Sequence, residues 1–331
     1  MAPIVYPALY CPFPSAINPH AAAVHRATLV WAQQFQLIRG ETARERLDRR
    51  RYGELMARAY PHAPRQALQF VSDWNTWLFL LDDECDETGL GKDPARLAQV
   101  HAHLLSILRG AAPGAQDGPQ SHALWQLITR LRAQADEEWM RRFNRQVEAY
   151  FSANVWEANN RLCGRIPEAA PYRAMRLFTG AVYMYLMLIE FTGQIQLPPD
   201  VRDYPDVQRL AEMTNNCICW SNDIISLEKE LQHGDIHNMV VILRAEQDLS
   251  LQAAVDQVAA MQDAEMREFI ALAARLPSFG EAVDAELQRY VKGMQHWMRA
   301  NLDWSAATAR YRPALEQTGA QSVAFSSGQN D

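Results

Sequence analysis

Two clusters of oxygen-bearing side chains stand out in this chain: Asp82-Asp83-Glu84-Cys85-Asp86-Glu87, and Asn222-Asp223-Ile224-Ile225-Ser226-Leu227-Glu228-Lys229-Glu230. On a helix Asp82 and Asp86 are four apart and share a face at about 6 Å. Asp83 and Glu87 form a second such pair, rotated by about 100°. Acids at a helix C-terminus oppose its macrodipole, and with no basic neighbour they repel one another unless a cation is present. Taken alone, the first cluster is balanced between a metal site and a solvated acidic helix end. The second is sharper. Asn222, Ser226 and Glu230 fall at i, i+4 and i+8 and line one helical stripe. Amide oxygen, hydroxyl and carboxylate are hard donors, suited to Mg²⁺ rather than zinc. Lys229 beside them can reach a phosphate as a point charge. The plain alternative is an exposed polar face. Against it, Cys217, Ile218, Cys219 and Trp220 make the preceding turn apolar, and a polar stripe leaving a buried helix requires partners or ions.

Both clusters end apolar runs that read as helix, the first of them Gln69 to Leu81 with its Trp and Phe. Metal ligands at the mouth of an apolar helical interior fit a substrate with an anionic head and a hydrocarbon body. Composition sets the frame. A chain of 331 residues, 48% hydrophobic, buries a sizeable core. A net charge of −7 argues against nucleic acid, so an anionic ligand must be attracted locally by metals and a few Arg or Lys. The five cysteines (Cys11, Cys85, Cys163, Cys217, Cys219) are scattered without zinc-site spacing, which points to reduced thiols and a cytoplasmic location. No signal peptide is expected at the N-terminus. The longest apolar stretch, Ala181 to Ile189, is half of what a membrane span needs.

The elements that must carry these residues are helices. Pro3, Pro7, Pro12 and Pro14 keep residues 1–19 from being helical. From His20 onward the periodicity predicts helices over about 20–39, 41–58, 64–84, 93–109, 120–136, 137–161, 171–194, 205–231, 238–244, 249–275 and 279–309. Prolines and the Ala112–Gln120 stretch punctuate them. Strand signals are nearly absent and no linker divides the chain. The expectation is all-α: a Pro-rich segment 1–19, one helical domain 20–312 and a frayed tail 313–331.

In these motifs the chain resembles the bacterial class I terpene synthases (terpene cyclases). Asp82-Asp83-x-x-Asp86 matches that family's aspartate-rich motif, and Asn222-Asp223-x-x-Ser226-x-x-x-Glu230 its Asn/Ser/Glu metal motif. Arg176, 46 residues before Asn222, stands where the family carries a diphosphate-sensing Arg, followed by Thr179 and Gly180 at a helix break. Trp304 and Arg310-Tyr311 match the C-terminal pair and its upstream aromatic. Pro12-Phe13-Pro14 through Asn18-Pro19 and Trp156-Glu157-x-x-Asn160-Arg161 also look familial. The match spans about residues 10–312. Glu84 and Glu87 flank the first motif, leaving Asp86 and Glu87 as alternatives for its supporting acid.

The resemblance implies a single-domain α-helical bundle around an apolar central cavity and three Mg²⁺ ions clamping a diphosphate. Asp82, supported by Asp83 and Asp86, would hold two ions, and Asn222, Ser226 and Glu230 the third. Arg176, Lys229, Arg310 and Tyr311 would donate to the diphosphate, the Gly180 carbonyl would face the nascent carbocation, and Phe79 and Trp304 would stabilise it through their ring faces. Gly180 is expected because glycine permits the helix to break. The implied substrate is farnesyl diphosphate, cyclised to a sesquiterpene hydrocarbon or alcohol, with geranyl diphosphate as runner-up. Partners expected are the prenyl diphosphate alone, with a homodimer as one assembly option.

Each assignment has a plainer counterpart. Phe79 and Trp304 can be simple core or helix-end packing, Arg176 half of a surface pair with Glu168 or Glu190, and Gly180 a packing glycine. The Arg49-Arg50-Arg51 run reads as a solvated face. At the level of function, a prenyl-chain elongation enzyme would carry a second Asp-rich motif in place of Asn222–Glu230. A non-catalytic prenyl diphosphate binder or a helical scaffold would release no diphosphate.

Overall fold

The computed structural model describes residues 4–87 and 89–311, without the side chains of Asp86 and Glu87. The expected tail 313–331 lies outside the described residues, as does the Asp86 carboxylate. The described residues form fifteen α-helices and two 3₁₀ turns, with no strand. In order these are α1 (Ala21–Gln34), α2 (Gly40–Arg50), α3 (Tyr52–Ala59), α4 (Arg65–Glu87), α5 (Pro94–Leu108), α6 (Pro119–Arg132), α7 (Glu137–Cys163), α8 (Ala169–Thr179) and α9 (Val182–Gly193). There follow α10 (Pro199–Arg202), α11 (Pro205–Ile225), α12 (Leu227–His233), α13 (Met239–Gln247), α14 (Leu251–Ala273) and α15 (Glu281–Ala307). The 3₁₀ turns are Leu90–Lys92 and Ala309–Tyr311.

Two helices at the centre are buried on nearly every face. In α4 the aromatic pair Trp74 and Trp77 is fully enclosed with Phe70, Val71 and Leu81, each burial contributing about 2–3 kcal/mol. Polar residues are enclosed here as well, and Asp73 and Asn75 find partners. Asp73 accepts from Thr28 at 2.7 Å and Arg130 at 2.7 Å, and Asn75 Oδ1 accepts from Tyr185 at 2.8 Å. The second such helix is α11, buried without a break from Met213 to Ser221 and packed between α14 and α15. Around them α3 packs on α15, α1 on α4, and α7 on α5. At Gly293 a Cβ would come 2.4 Å from Ile189, so glycine lets α15 close onto α9.

Helix starts follow their side chains. Asp93 caps α5 ahead of Pro94, Asp136 caps α7, Asn238 caps α13 and Ser250 caps α14. Residues 4–20 are not helical, as their prolines require; the first of them lie along α14, and Asn18 donates to the Tyr60 and Ala63 carbonyls after α3. On α14 Gln252 bonds both the N–H and the C=O of Val5, at 2.9 and 2.8 Å, and Asp263 accepts from Tyr10 N at 2.8 Å.

Three predicted helices prove to be broken. The 41–58 run divides at Arg51 (φ 52), the 171–194 run at Ala181 (φ 59), and the 205–231 run at Ser226. At Arg51 and Ala181 a single residue in the left-handed region resets the helix without disturbing the apolar period, whereas Ser226 stays right-handed (φ −83). The stretch Ala169–Gly193 is long and apolar enough to cross a membrane by composition. Here it is interrupted at Gly180–Ala181, and α9 packs against α4, α7, α11 and α15.

Candidate active site

The metal stripe sits where α11 gives way to α12. Ser226 Oγ donates to the Asn222 carbonyl at 2.7 Å, a back-bond that keeps both hydroxyl lone pairs available. Glu230 Oε2 accepts from Asn238 Nδ2 at 2.7 Å, and the same amide donates to the Asp223 carbonyl at 2.6 Å. Burial, with Asp223 nearby, pushes the Glu230 carboxyl up to about 7. Asn222 is held at both ends of its amide: Oδ1 accepts from Arg176 at 2.9 Å, and Nδ2 donates to the Tyr311 hydroxyl at 2.8 Å.

Asp223 is the residue that stripe reasoning missed. It is fully buried, accepting from Arg176 at 2.6 Å, Tyr172 OH at 3.0 Å and Met239 N at 2.9 Å. Although burial works against charge, Asp223 keeps Arg176 firmly protonated. Arg176 therefore pairs with the metal motif itself, not with Glu168 or Glu190. One signal was available: Asn238 before the apolar run Met239 to Leu243 is an N-cap signature, and it anchors both Asp223 and Glu230.

At the other motif, Asp82 and Asp83 leave the end of α4 beneath the C-terminal 3₁₀ turn. Arg310 Nη2 reaches Asp82 at 3.2 Å and Arg310 Nη1 reaches Asp83 at 3.0 Å. Asp83 is paired on its other oxygen with Arg50. Burial opposes its ionisation, but Arg310, Arg50 and Lys229 together hold the Asp83 carboxyl below its ordinary value. Lys229 of α12 thus lies within electrostatic reach of α4. Neighbouring residues of one turn, Arg310 on Asp82 and Asp83 and Tyr311 on Asn222, join the two motifs. Beside Asp82, a small cleft of about 30 Å³ opens to solvent, lined by Leu81, Cys85, His101, Tyr150 and Glu157.

Phe79 and Trp304 do come together at this end. The Phe79 ring stacks on Tyr52 at 4.4 Å and lies 6.0 Å from Trp304, and the Arg310 guanidinium sits 4.5 Å over its face. Trp304 also meets Tyr311 edge-on at 5.6 Å and donates to the Arg50 carbonyl at 2.9 Å.

Gly180 requires a correction. Its φ is −72°, so it supplies no special backbone freedom, and the left-handed residue at the break is Ala181. Glycine is needed because a Cβ would lie 2.3 Å from Cys219 Sγ on α11. The break is clasped to that helix by Asn215 Nδ2, which donates to the Leu177 carbonyl at 2.7 Å. Arg50 corrects the solvated-face reading: its neighbours Arg49 and Arg51 are exposed, but its side chain is 15% exposed and engaged.

The donor set fits a hard divalent cation. Among the described residues no three His, Cys, Asp or Glu converge as a metal cluster. The stripe instead offers mixed oxygens, and a cation there would offset both the burial and the Asp223 charge that raise the Glu230 carboxyl. Arg176 Nε is buried with no acceptor among the described residues, as a donor awaiting a ligand oxygen would be.

Comparison with known proteins agrees with this geometry. The family model described as terpene synthase family 2, C-terminal metal binding, matches residues 73–268. The (+)-T-muurolol synthase ((2E,6E)-farnesyl diphosphate cyclizing) of Roseiflexus castenholzii is 45% identical over 305 residues, 92% of this chain and 93% of that protein. The germacrene A synthase of Nostoc punctiforme is 36% identical, over 94% and 96% respectively. Among solved structures, the linalool/nerolidol synthase from Streptomyces clavuligerus superposes with a TM-score of 0.80 at 26% identity, covering 92% of this chain and all of that one. The all-α fold is that of the class I terpene synthases, and divalent metal dependence follows with the metal-binding domain. The chain belongs to the terpene synthase family.

Proposed function

We propose that this enzyme ionises and cyclises farnesyl diphosphate to a sesquiterpene and releases diphosphate. The observation that carries this reading is the turn Ala309–Tyr311, whose Arg310 and Tyr311 join Asp82 and Asp83 to Asn222 across the mouth of the bundle. The farnesyl substrate is supported by the name of the Roseiflexus castenholzii relative, which is described as farnesyl diphosphate cyclizing. Five free cysteines support a cytoplasmic setting.

Mg²⁺ is the proposed metal, three ions in number, held by Asp82 with support from Asp83 and Asp86, and by Asn222, Ser226 and Glu230. The metal supplies Lewis-acid stabilisation of the negative charge on the diphosphate oxygens. The chain's own part is to bind and orient. Arg176, Lys229, Arg310 and Tyr311 present donors to the leaving group, and because Asp223 holds Arg176 in place, that donor costs little reorganisation at the moment of reaction. The Phe79 ring, stacked on Tyr52 and now under the Arg310 guanidinium, can offer π-density worth about 2 kcal/mol to a desolvated substrate cation once Arg310 turns to the diphosphate. Trp304 closes the same wall and helps exclude water. The Gly180 carbonyl, at the clasped break, is the acceptor directed at the reacting carbon.

Incubation with farnesyl or geranyl diphosphate and Mg²⁺, read by gas chromatography with mass spectrometry and by diphosphate release, tests the reading. Sesquiterpenes from farnesyl diphosphate are expected. Faster turnover of geranyl diphosphate, or no diphosphate release from either, overturns it. Consumption of isopentenyl diphosphate would mark an elongation enzyme instead.

A further inference from the structure

The turn between α2 and α3 brings an unexpected set of groups to the first metal motif. Arg50 is the last residue of α2, Arg51 adopts φ 52, and Tyr52 opens α3. This turn makes four polar contacts with the site. The Arg50 guanidinium pairs with Asp83 Oδ2, leaving Oδ1 to Arg310 at 3.0 Å. The Tyr52 hydroxyl, on a residue 1% exposed, accepts from Arg310 Nη1 at 2.7 Å. The Arg50 carbonyl accepts twice, from Trp304 Nε1 at 2.9 Å and from Thr308 Oγ1 at 2.8 Å. Thr308 Oγ1 in turn accepts from Arg310 N at 3.2 Å.

A purely structural ion pair would not need this arrangement. Arg310 divides its guanidinium between Asp82 and Asp83, so Arg50 completes the neutralisation of the pair, yet charge balance alone would not require the Arg50 carbonyl to accept from Trp304 and Thr308 as well. What Arg50 adds is orientation: Asp83 is fixed from both sides, and Arg310 is held by a carboxylate, a phenol and its own tethered backbone. We propose that Arg50 is a positioning residue for the reaction, setting Arg310 and Trp304 in register with the first metal motif through Asp83 and through its own carbonyl. The proposal rests on the function argued above and concerns a residue outside both metal motifs.

Arg50→Gln and Arg50→Lys, compared with the unaltered enzyme, test it. Arg50→Gln is expected to lower kcat on farnesyl diphosphate, and to raise the Mg²⁺ concentration for half-activation, each by roughly 10- to 100-fold. Its melting temperature should stay within about 3 °C, less than the shift expected for losing a core contact. Arg50→Lys should recover part of both kinetic losses. Independently of turnover, amide hydrogen exchange at residues 308–311, measured with inorganic diphosphate and Mg²⁺, should be faster in Arg50→Gln. Unchanged kcat, Mg²⁺ requirement and exchange would overturn the proposal. A melting temperature that falls in step with activity, unrescued by lysine, would also overturn it and make the role structural. Should the unaltered enzyme release no diphosphate from farnesyl diphosphate, the functional reading fails, and the exchange comparison still decides whether Arg50 orders the turn.

Discussion

Asn222 illustrates how tightly single residues are engaged here, since its amide bonds Arg176 at one end and Tyr311 at the other. Replacing it with alanine removes a metal donor and a tether of the C-terminal turn together, whereas Glu230→Ala removes the donor and its bond from Asn238 but leaves that turn tethered. Both should raise the Mg²⁺ requirement by roughly 10- to 100-fold, with Asn222→Ala the worse. Ordinary Mg²⁺ titrations of activity check this, and near-normal turnover at low Mg²⁺ would sink the assignment. Arg176→Lys keeps a positive charge beside Asp223 but loses the planar fork, so turnover should fall far more than the melting temperature. The sequence disclosed the residues that project from a stripe. It concealed those that act from behind it: Asp223 is one residue, about 100°, away from Asn222 and faces the interior. Arg50 was hidden differently, between two arginines that really are solvated.

At the scale of elements, proline and capping residues made most helix boundaries legible, because each acts locally on the backbone. The breaks at Arg51 and Ala181 were not legible as backbone features, since neither residue type favours the left-handed region. At α8–α9 the resemblance located the break but not its cause. The cause is contact: α11 approaches so closely that position 180 has no room for a methyl group. Gly180→Ala should therefore destabilise the enzyme by about 1–3 kcal/mol through overpacking. Adding Cys219→Ala, which removes the obstructing sulfur, should restore much of that loss in denaturant unfolding. If the double variant is no more stable than Gly180→Ala, the glycine serves the backbone after all.

For the whole molecule, acid stability depends on buried imidazoles outside the two metal motifs. His101 is 3% exposed, stacked on Phe151 at 4.1 Å, and burial pushes its imidazole down to about 4. Its folded-state value lies below the unfolded value of 6.5, so the unfolded chain binds more protons between the two. Stability is then intact above pH 6.5 and lost as pH falls toward 4, by about 1.4 kcal/mol per unit in that window. His296 acts in the same sense. Denaturant unfolding at pH 7 and pH 5 should show the loss, and His101→Gln should flatten it; an unchanged slope would mean the ring protonates without cost.

The bonds that join the two motifs also bear on how the protein can be handled. Asp82 and Asp83 are matched by Arg310 and Arg50, and Asn222 by Arg176 and Tyr311, so the ligands satisfy one another before any ion arrives. Among the described residues these ligands keep partners within the protein itself. Dialysis against a chelator should silence the enzyme while leaving its circular dichroism unchanged, and added Mg²⁺ should restore full activity without a refolding step. The protein can therefore be purified, stored and shipped as an inactive reagent, then switched on in the assay tube.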